Sequence, residues 1–277
     1  MRRALLSLCA LLALIAPARA GGEQGCAPSQ SRTIEIDTTG GPWFGAPYGD
    51  HDFLAAGEVV LTFDDGPAPR STPHILAALA AACVKATFFM VGEMAAEYPD
   101  LVREVAEQGH TIGTHTWSHR NLKRLPEDKM KAEIEAAFTL VAKEAGAPIA
   151  PFFRYPYLSD SPATVAYLKS RNIAQFAIDV DSYDWRTRNA QSVVRRVMAG
   201  LERRGRGIIL LHDIHPSTAA AMPELLAQLK AKGYRIVELR AKAPVETLAY
   251  DAPAKGAKSR LHRALPFDRR PKASLSW

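Results

Sequence analysis

The chain has 277 residues, 47% hydrophobic and 23% charged, with 18 Gly and 19 Pro, which allows one large domain or two small ones and excludes a coiled coil, a fibre or a wholly disordered chain. The formal charge of +6 gathers at the ends: residues 1–20 hold three arginines and no acid, and residues 251–277 hold seven basic residues against two acids. The stretch between them is slightly acidic, so the body offers no field to steer a nucleic acid.

In chain order, MRRALLSLCALLALIAPARA has the layout of a secretory signal cleaved after Ala20, with a basic start, a short apolar run and a small-residue site. The run is short for a membrane span, so no transmembrane anchor is expected after cleavage. Export leaves Cys26 and Cys83 in an oxidising compartment where one disulfide is permitted. Residues 21–56 are rich in Gly, Pro and Ser and read as an N-terminal arm with one alternating patch, Thr33 to Asp37. Residues 57–240 alternate apolar runs with amphipathic stretches. The expected strands are Val59–Phe63, Ala86–Val91, Thr111–Thr114, Pro151–Tyr155, Ala174–Val180, Gly207–Leu211 and Tyr234–Leu239. The expected helices between them are Thr72–Ala82, Ala95–Gln108, Pro126–Glu144, Pro162–Lys169, Ala190–Arg203 and Thr218–Lys232. In the second of these, Val102, Val105 and Ala106 form the apolar stripe, with Arg103, Glu104 and Glu107 outside it. Seven such units without a glycine-rich dinucleotide fingerprint predict an α/β fold, a deformed (β/α) barrel with about seven parallel strands. Residues 241–277 have little periodicity and read as a basic, disordered tail.

Polar clusters fall at the ends of five strands, which puts them together at the C-terminal rim where barrels and parallel sheets place their sites. Asp64 and Asp65 end the first strand; neighbouring residues there point apart, so one carboxylate can serve a metal and the other a water. With only three cysteines in the chain, a metal would be held by His and Asp, and His115 and His119 stand at i and i+4, within reach of one ion if that segment turns helical. Two imidazoles and one carboxylate leave coordination positions open, as a catalytic Zn²⁺ requires. Arg154 follows Phe152-Phe153 and can grip Asp64 with its fork. His212 ends Leu210-Leu211-His212 and is the general-acid candidate with Asp184 behind it; His215 is its rival. Trp185 and Leu210 offer apolar surface to a methyl group or a sugar face, and Tyr157 a pocket wall. The competing readings are a surface Asp-Asp-Gly-Pro turn, an interior histidine pair bonded to backbone, and a purely structural Arg154 ion pair.

The series Thr62-Phe63-Asp64-Asp65-Gly66-Pro67, His115-x-x-x-His119, Arg154-x-Pro156-Tyr157, Asp181-x-x-Asp184-Trp185 and Leu210-x-His212 resembles the motifs of the polysaccharide deacetylase family, the nodulation-protein-B homology domain or carbohydrate esterase family 4. The likeness spans residues 57 to 240, with Thr116 where serine is more usual. It implies a deformed barrel, one divalent metal with Zn²⁺ favoured, and removal of N- or O-acetyl groups from sugar polymers. By the same resemblance Asp64 is the base, Asp65, His115 and His119 are metal ligands, and Arg154 orients Asp64. Tyr157 gives a backbone oxyanion contact, and His212, backed by Asp184, protonates the leaving group. The expected partner is an acetylated glycan, peptidoglycan-like or chitin-like, met in the periplasm or outside the cell. No G-x-S-x-G elbow occurs, so a serine hydrolase route lacks its signature. The alternatives are an O-acetyl esterase on a polysaccharide and a non-catalytic secreted glycan-binding protein.

Overall fold

A computed structural model describes residues 32–46 and 53–250. The expected leader, Cys26, residues 21–31 and 47–52 of the arm, and the tail from 251 lie outside the described residues. Two short strands come first, Thr33–Ile36 (β1) and Trp43–Phe44 (β2). The units that follow are Glu58–Asp64 (β3), Thr72–Ala81 (α1), Thr87–Met90 (β4), Gly92–Glu97 (α2), Pro99–Glu107 (α3), Thr111–Thr114 (β5) and Glu127–Ala145 (α4). After these come Phe152–Phe153 (β6), Pro162–Ser170 (α5), Ala174–Phe176 (β7), Val180–Asp181 (β8), Ala190–Arg204 (α6), Gly207–His212 (β9) and Pro216–Ala231 (α7). Arg235–Ile236 (β10) and Glu238–Ala241 (β11) close the described chain.

The apolar runs are the strands and the amphipathic stretches the helices, with three local departures. The helix expected over Ala95–Gln108 divides because Pro99 holds the residue before it out of helical geometry: Tyr98 has φ −125° and ψ 59°. The run Ala174–Val180 divides into β7, second from one edge of the sheet, and β8, which forms the other edge. Tyr234–Leu239 divides between two sheets, β10 pairing with β3 and β11 with β1.

The main sheet is parallel, in the order β2-β7-β6-β5-β4-β3-β9-β8, with β10 beside the start of β3. It curls into an open, deformed (β/α) barrel, since its edge strands β2 and β8 do not pair among the described residues. Strand parity sorts the side chains. Val59, Leu61 and Phe63 of β3 face the helices with Ile75, Leu79, Leu225 and Leu229. Val60 turns inward to join Phe89, Phe152, Phe176 and Ile208 in an aromatic plug.

β1 and β11 cross the N-terminal end of the sheet, where Ile34, Ile36 and Leu239 complete that plug and the Thr111 hydroxyl donates to the Leu239 carbonyl. β1 alternates exposed and buried residues, the pattern expected for its alternating sequence patch. Contacts cross the domain edges expected at 56 and 240. Arg32 pairs with Glu58 at 2.8 Å, Lys242 N donates to Ile36 O at 3.0 Å, Val245 N to Ile149 O at 3.0 Å, and Thr139 Oγ1 to Leu248 O at 2.7 Å. The reason is that a four-residue strand such as β1 needs a partner for its backbone groups, and the segment after Arg235 provides it. Cys83, just after α1, is disulfide-bonded.

Candidate active site

β3, β5, β6, β8 and β9 all run the same way, so the residues that end them share one rim. β3 and β9 are adjacent, and their register sets Asp64 directly opposite His212. Both stand on the inward face, continuing the parity of Val60 and Ile208. A carboxylate and an imidazole are thereby held side by side at the mouth.

Arg154 is 0% exposed, and its guanidinium lies 4.3 Å from the centroid of the Phe89 ring. Nη1 donates to Asp64 Oδ1 and to Thr62 Oγ1, both at 2.7 Å, while Nε and Nη2 donate to the carbonyls of Phe176 and Ala177. The buried charge is thus matched by one carboxylate and three further oxygens, and Asp64 is fixed by a bond from beneath. Sequence reasoning found the pair but missed Thr62, although its place two residues before Asp64 on the same strand face was legible.

Asp65 turns away from Asp64 because its backbone has φ 76°. Its Oδ1 lies 3.3 Å from His119 Nε2 and 3.6 Å from His115 Nε2, and it is a buried oxygen with no hydrogen-bond partner. The three donor atoms lie within 4.8 Å of one another. His115 Nδ1 donates to the Arg154 carbonyl at 2.7 Å, which leaves the Nε2 lone pair for a ligand. Burial pushes His115 down to about 4, so it is neutral near pH 7, the form that binds a cation. Burial works against the Asp65 carboxylate, but His119, His212 and His115 outweigh it and hold the group below its usual range. An orphaned carboxylate oxygen facing two imidazole nitrogens is a donor set that fits a divalent ion with positions left open.

The two histidines meet by a loop, not by the helical turn expected from their spacing. Thr116 (φ 69°) and His119 (φ 55°) are left-handed, which folds the segment back and sets the rings 4.9 Å apart. Glu133 of α4 holds this loop: its carboxylate accepts Ser118 N at 2.8 Å and Ser118 Oγ at 2.7 Å, and its carbonyl accepts Trp117 N at 2.7 Å. The sequence carried a signal that was not used, since Glu133 stands on the buried stripe of α4 with Met130, Ile134 and Ala137. Glu133→Ala should weaken metal affinity by about tenfold, read by chelator competition, with Glu133→Gln intermediate. Unchanged affinity in a folded Glu133→Ala variant would show that the loop holds itself.

On the opposite side, His212 Nδ1 donates to Asp184 Oδ1 at 2.7 Å. Asp184 also accepts Trp185 N, His212 N and Thr218 Oγ1, so its four acceptor positions are filled. Burial disfavours the His212 imidazolium, but Asp184 outweighs it and holds the group charged well above the ordinary histidine range. His215, with its ring centroid 5.8 Å from that of His212, is shifted the other way by burial and is neutral near pH 7. Tyr157 is 60% exposed and meets His119 edge-on at 4.8 Å; Trp185 is 37% exposed and carries the Arg186 guanidinium on its ring at 4.2 Å. Leu210 is only 6% exposed, so it offers far less surface than the two aromatics.

A family profile described as polysaccharide deacetylase matches residues 54–176, the stretch that carries Asp64, Asp65, His115, His119 and Arg154. The peptidoglycan-N-acetylglucosamine deacetylase PgdA of Listeria monocytogenes is 35% identical over 181 residues, 65% of this chain and 38% of the relative. The chain therefore spans little more than a third of that relative's length. The chitooligosaccharide deacetylase of Azorhizobium caulinodans is 32% identical over 164 residues, 59% of this chain and 77% of the relative. The solved structure of a peptidoglycan deacetylase from Bdellovibrio bacteriovorus superposes with a TM-score of 0.71 and 34% identity, over 82% of this chain and 63% of that one. The order of the rim residues along the chain, the curled parallel sheet that gathers them and these alignments agree, and the chain belongs to the polysaccharide deacetylase family.

Proposed function

We propose that the protein is a metal-dependent hydrolase that removes N-acetyl groups from an amino-sugar polysaccharide or oligosaccharide, peptidoglycan-like or chitin-like. The observation that carries this reading is the pairing across β3 and β9: Asp64, gripped by Arg154, and His212, gripped by Asp184, face each other beside the Asp65–His115–His119 donor set. Two proton-handling groups of opposite habit flanking a cation site suit amide hydrolysis, in which one proton must leave water and another must reach the departing amine.

Asp65, His115 and His119 would hold the ion, with Zn²⁺ preferred for two nitrogens and one oxygen at an open site. When bound, such an ion polarises the acetyl carbonyl and makes water a stronger acid. Arg154 engages Asp64 Oδ1, which leaves Oδ2 to take the proton of the attacking water. The backbone N–H of Tyr157 would meet the oxygen that gains charge as water adds to the carbonyl carbon. With Nδ1 committed to Asp184, His212 would deliver its proton from Nε2 to the sugar nitrogen as the C–N bond breaks and acetate leaves. Tyr157 and Trp185, with a smaller part for Leu210, would hold the sugar and the methyl group. An exported protein meeting an envelope or extracellular glycan fits this reading; among the described residues no helix is long and apolar enough to cross a membrane.

The test is acetate release from N-acetylated peptidoglycan fragments, chitooligosaccharides and an O-acetylated xylan, before and after chelation and Zn²⁺ addition. Release from an N-acetylated glycan that chelation abolishes and Zn²⁺ restores is expected, with His115→Ala inactive and weak in zinc affinity, and His74→Ala unaffected. Release from the ester alone would make the protein an O-acetyl esterase. Retention of a glycan with no release from any would make it a binding protein.

A further inference from the structure

His212 is followed by Asp213, whose side chain takes no part in the reaction outlined above although it is 1% exposed at the same rim. Its N–H donates to the Asp64 carbonyl at 3.3 Å, extending the contact between the two strand ends beyond the ladder. Its own carbonyl accepts Ser71 Oγ at 2.5 Å and Thr72 Oγ1 at 3.3 Å. Thr72 Oγ1 bonds Asp213 Oδ2 at 2.6 Å and accepts Ala68 N at 2.8 Å. The carboxyl group packs directly on Gly66, where an added Cβ would lie 2.1 Å from both carboxyl oxygens. Gly66 is held from the other side by Val91 N, which donates to its carbonyl at 3.1 Å. The turn that follows Asp64 is therefore clasped between Val91, just after β4, and the residue after His212.

A buried carboxyl group is a costly way to fill space, the more so with Oδ1 lacking any hydrogen-bond partner. An apolar side chain would fill the volume but would leave the Thr72 hydroxyl without its carboxyl partner and the Ala68 turn less firmly held. We propose that Asp213 is a positioning residue of the hydrolytic site, clamping the 64–68 loop to the end of β9 so that Asp64, Asp65 and His212 keep one spacing. The clamp rests on the functional reading above and adds to it a residue that touches neither substrate nor ion. Burial, with the charges of Asp65 and Asp64 and against the Thr72 hydrogen bond, pushes its carboxyl group up to about 7; an asparagine amide keeps the shape of the group and an oxygen that accepts the Thr72 hydroxyl.

The test compares Asp213→Asn, Asp213→Ala and Thr72→Val in the Zn²⁺-loaded full chain, reading kcat and KM on an N-acetylated oligosaccharide, zinc affinity by chelator competition, and thermal unfolding. Asp213→Asn should keep kcat close to wild type. Asp213→Ala and Thr72→Val should lower kcat by about tenfold or more with KM little changed, because a small displacement of a reacting group is costly to rate. The same two variants should weaken zinc affinity by up to about tenfold through Asp65. Thr72→Val, the milder change, keeps the test open if Asp213→Ala does not fold. Unchanged kcat and zinc affinity in folded Thr72→Val would overturn the proposal, as would an Asp213→Asn variant as impaired as Asp213→Ala. If the wild-type chain releases no acetate from any glycan, the functional reading fails, and zinc affinity alone decides the clamp by the same comparison.

Discussion

Replacing Asp64 with Asn should lower kcat on an N-acetylated glycan by at least ~10²-fold, the usual scale of general-base catalysis. The amide keeps the shape of the carboxylate and can still accept the Arg154 Nη1 hydrogen bond, but its nitrogen cannot take a proton from water. The same change has a second consequence that the buried geometry makes unavoidable. Arg154 is fully enclosed, and Asp64 is the carboxylate bonded to it. Removing that charge leaves a buried guanidinium hydrogen-bonded only to neutral oxygens, a loss of the kind that costs about 3–5 kcal/mol when one partner of a buried pair is deleted. Rates must therefore be compared well below the variant's own unfolding temperature. A folded Asp64→Asn protein with kcat within about tenfold of wild type would remove Asp64 from the base role, because general-base contributions are larger than that.

His212→Ala should cost ~10²–10⁴-fold in kcat on an amide substrate and much less on an acetyl ester with a good leaving group, which departs without a proton. The pairing with Asp184 gives the pH dependence its sign. The reaction needs His212 protonated, so activity falls as pH rises through the pKa of that group. Asp184 raises this pKa, and Asp184→Asn must therefore move the basic limb of kcat/KM to lower pH. A cation held by Asp65 pushes His212 the other way, but the difference between Asp184 and its amide remains. Stability follows the same linkage. The contribution of a raised His212 is complete below the ordinary histidine pKa and is lost as pH rises through its folded value. That of Asp184, held down to about 2, is present above the ordinary carboxylate range and is lost as pH falls through about 2. A basic limb that stays in place in Asp184→Asn, or a His212→Ala enzyme that keeps its kcat on amides, would break this assignment.

Much of this protein is written locally in its sequence. Parity along Val59–Asp64 fixes which side chains face the helices and which face the mouth, and the repeated strand and helix units fix a parallel sheet whose strand ends share one rim. Because five polar clusters sit at those ends, Asp64, Asp65, His115, His119, Arg154, Asp184 and His212 are legible in the sequence as candidates for one site. Tertiary structure decided what depends on partners far along the chain. The placing of His212 opposite Asp64 comes from the β3–β9 register, across 148 residues. The approach of His115 to His119 comes from left-handed backbone at Thr116 and His119, held by Glu133 fifteen residues beyond Ser118, and not from helical spacing. β1 and β11 find each other across 205 residues, so a segment that read as a flanking arm, β1, helps close the barrel's lower end. Asp213 looks like one more acid after a histidine until Gly66, Ser71 and Thr72 are folded against it. Periodicity and side-chain chemistry act between near neighbours and survive in the linear string; strand order, register and buried hydrogen bonds depend on which distant segments meet, and that is settled only when the core packs.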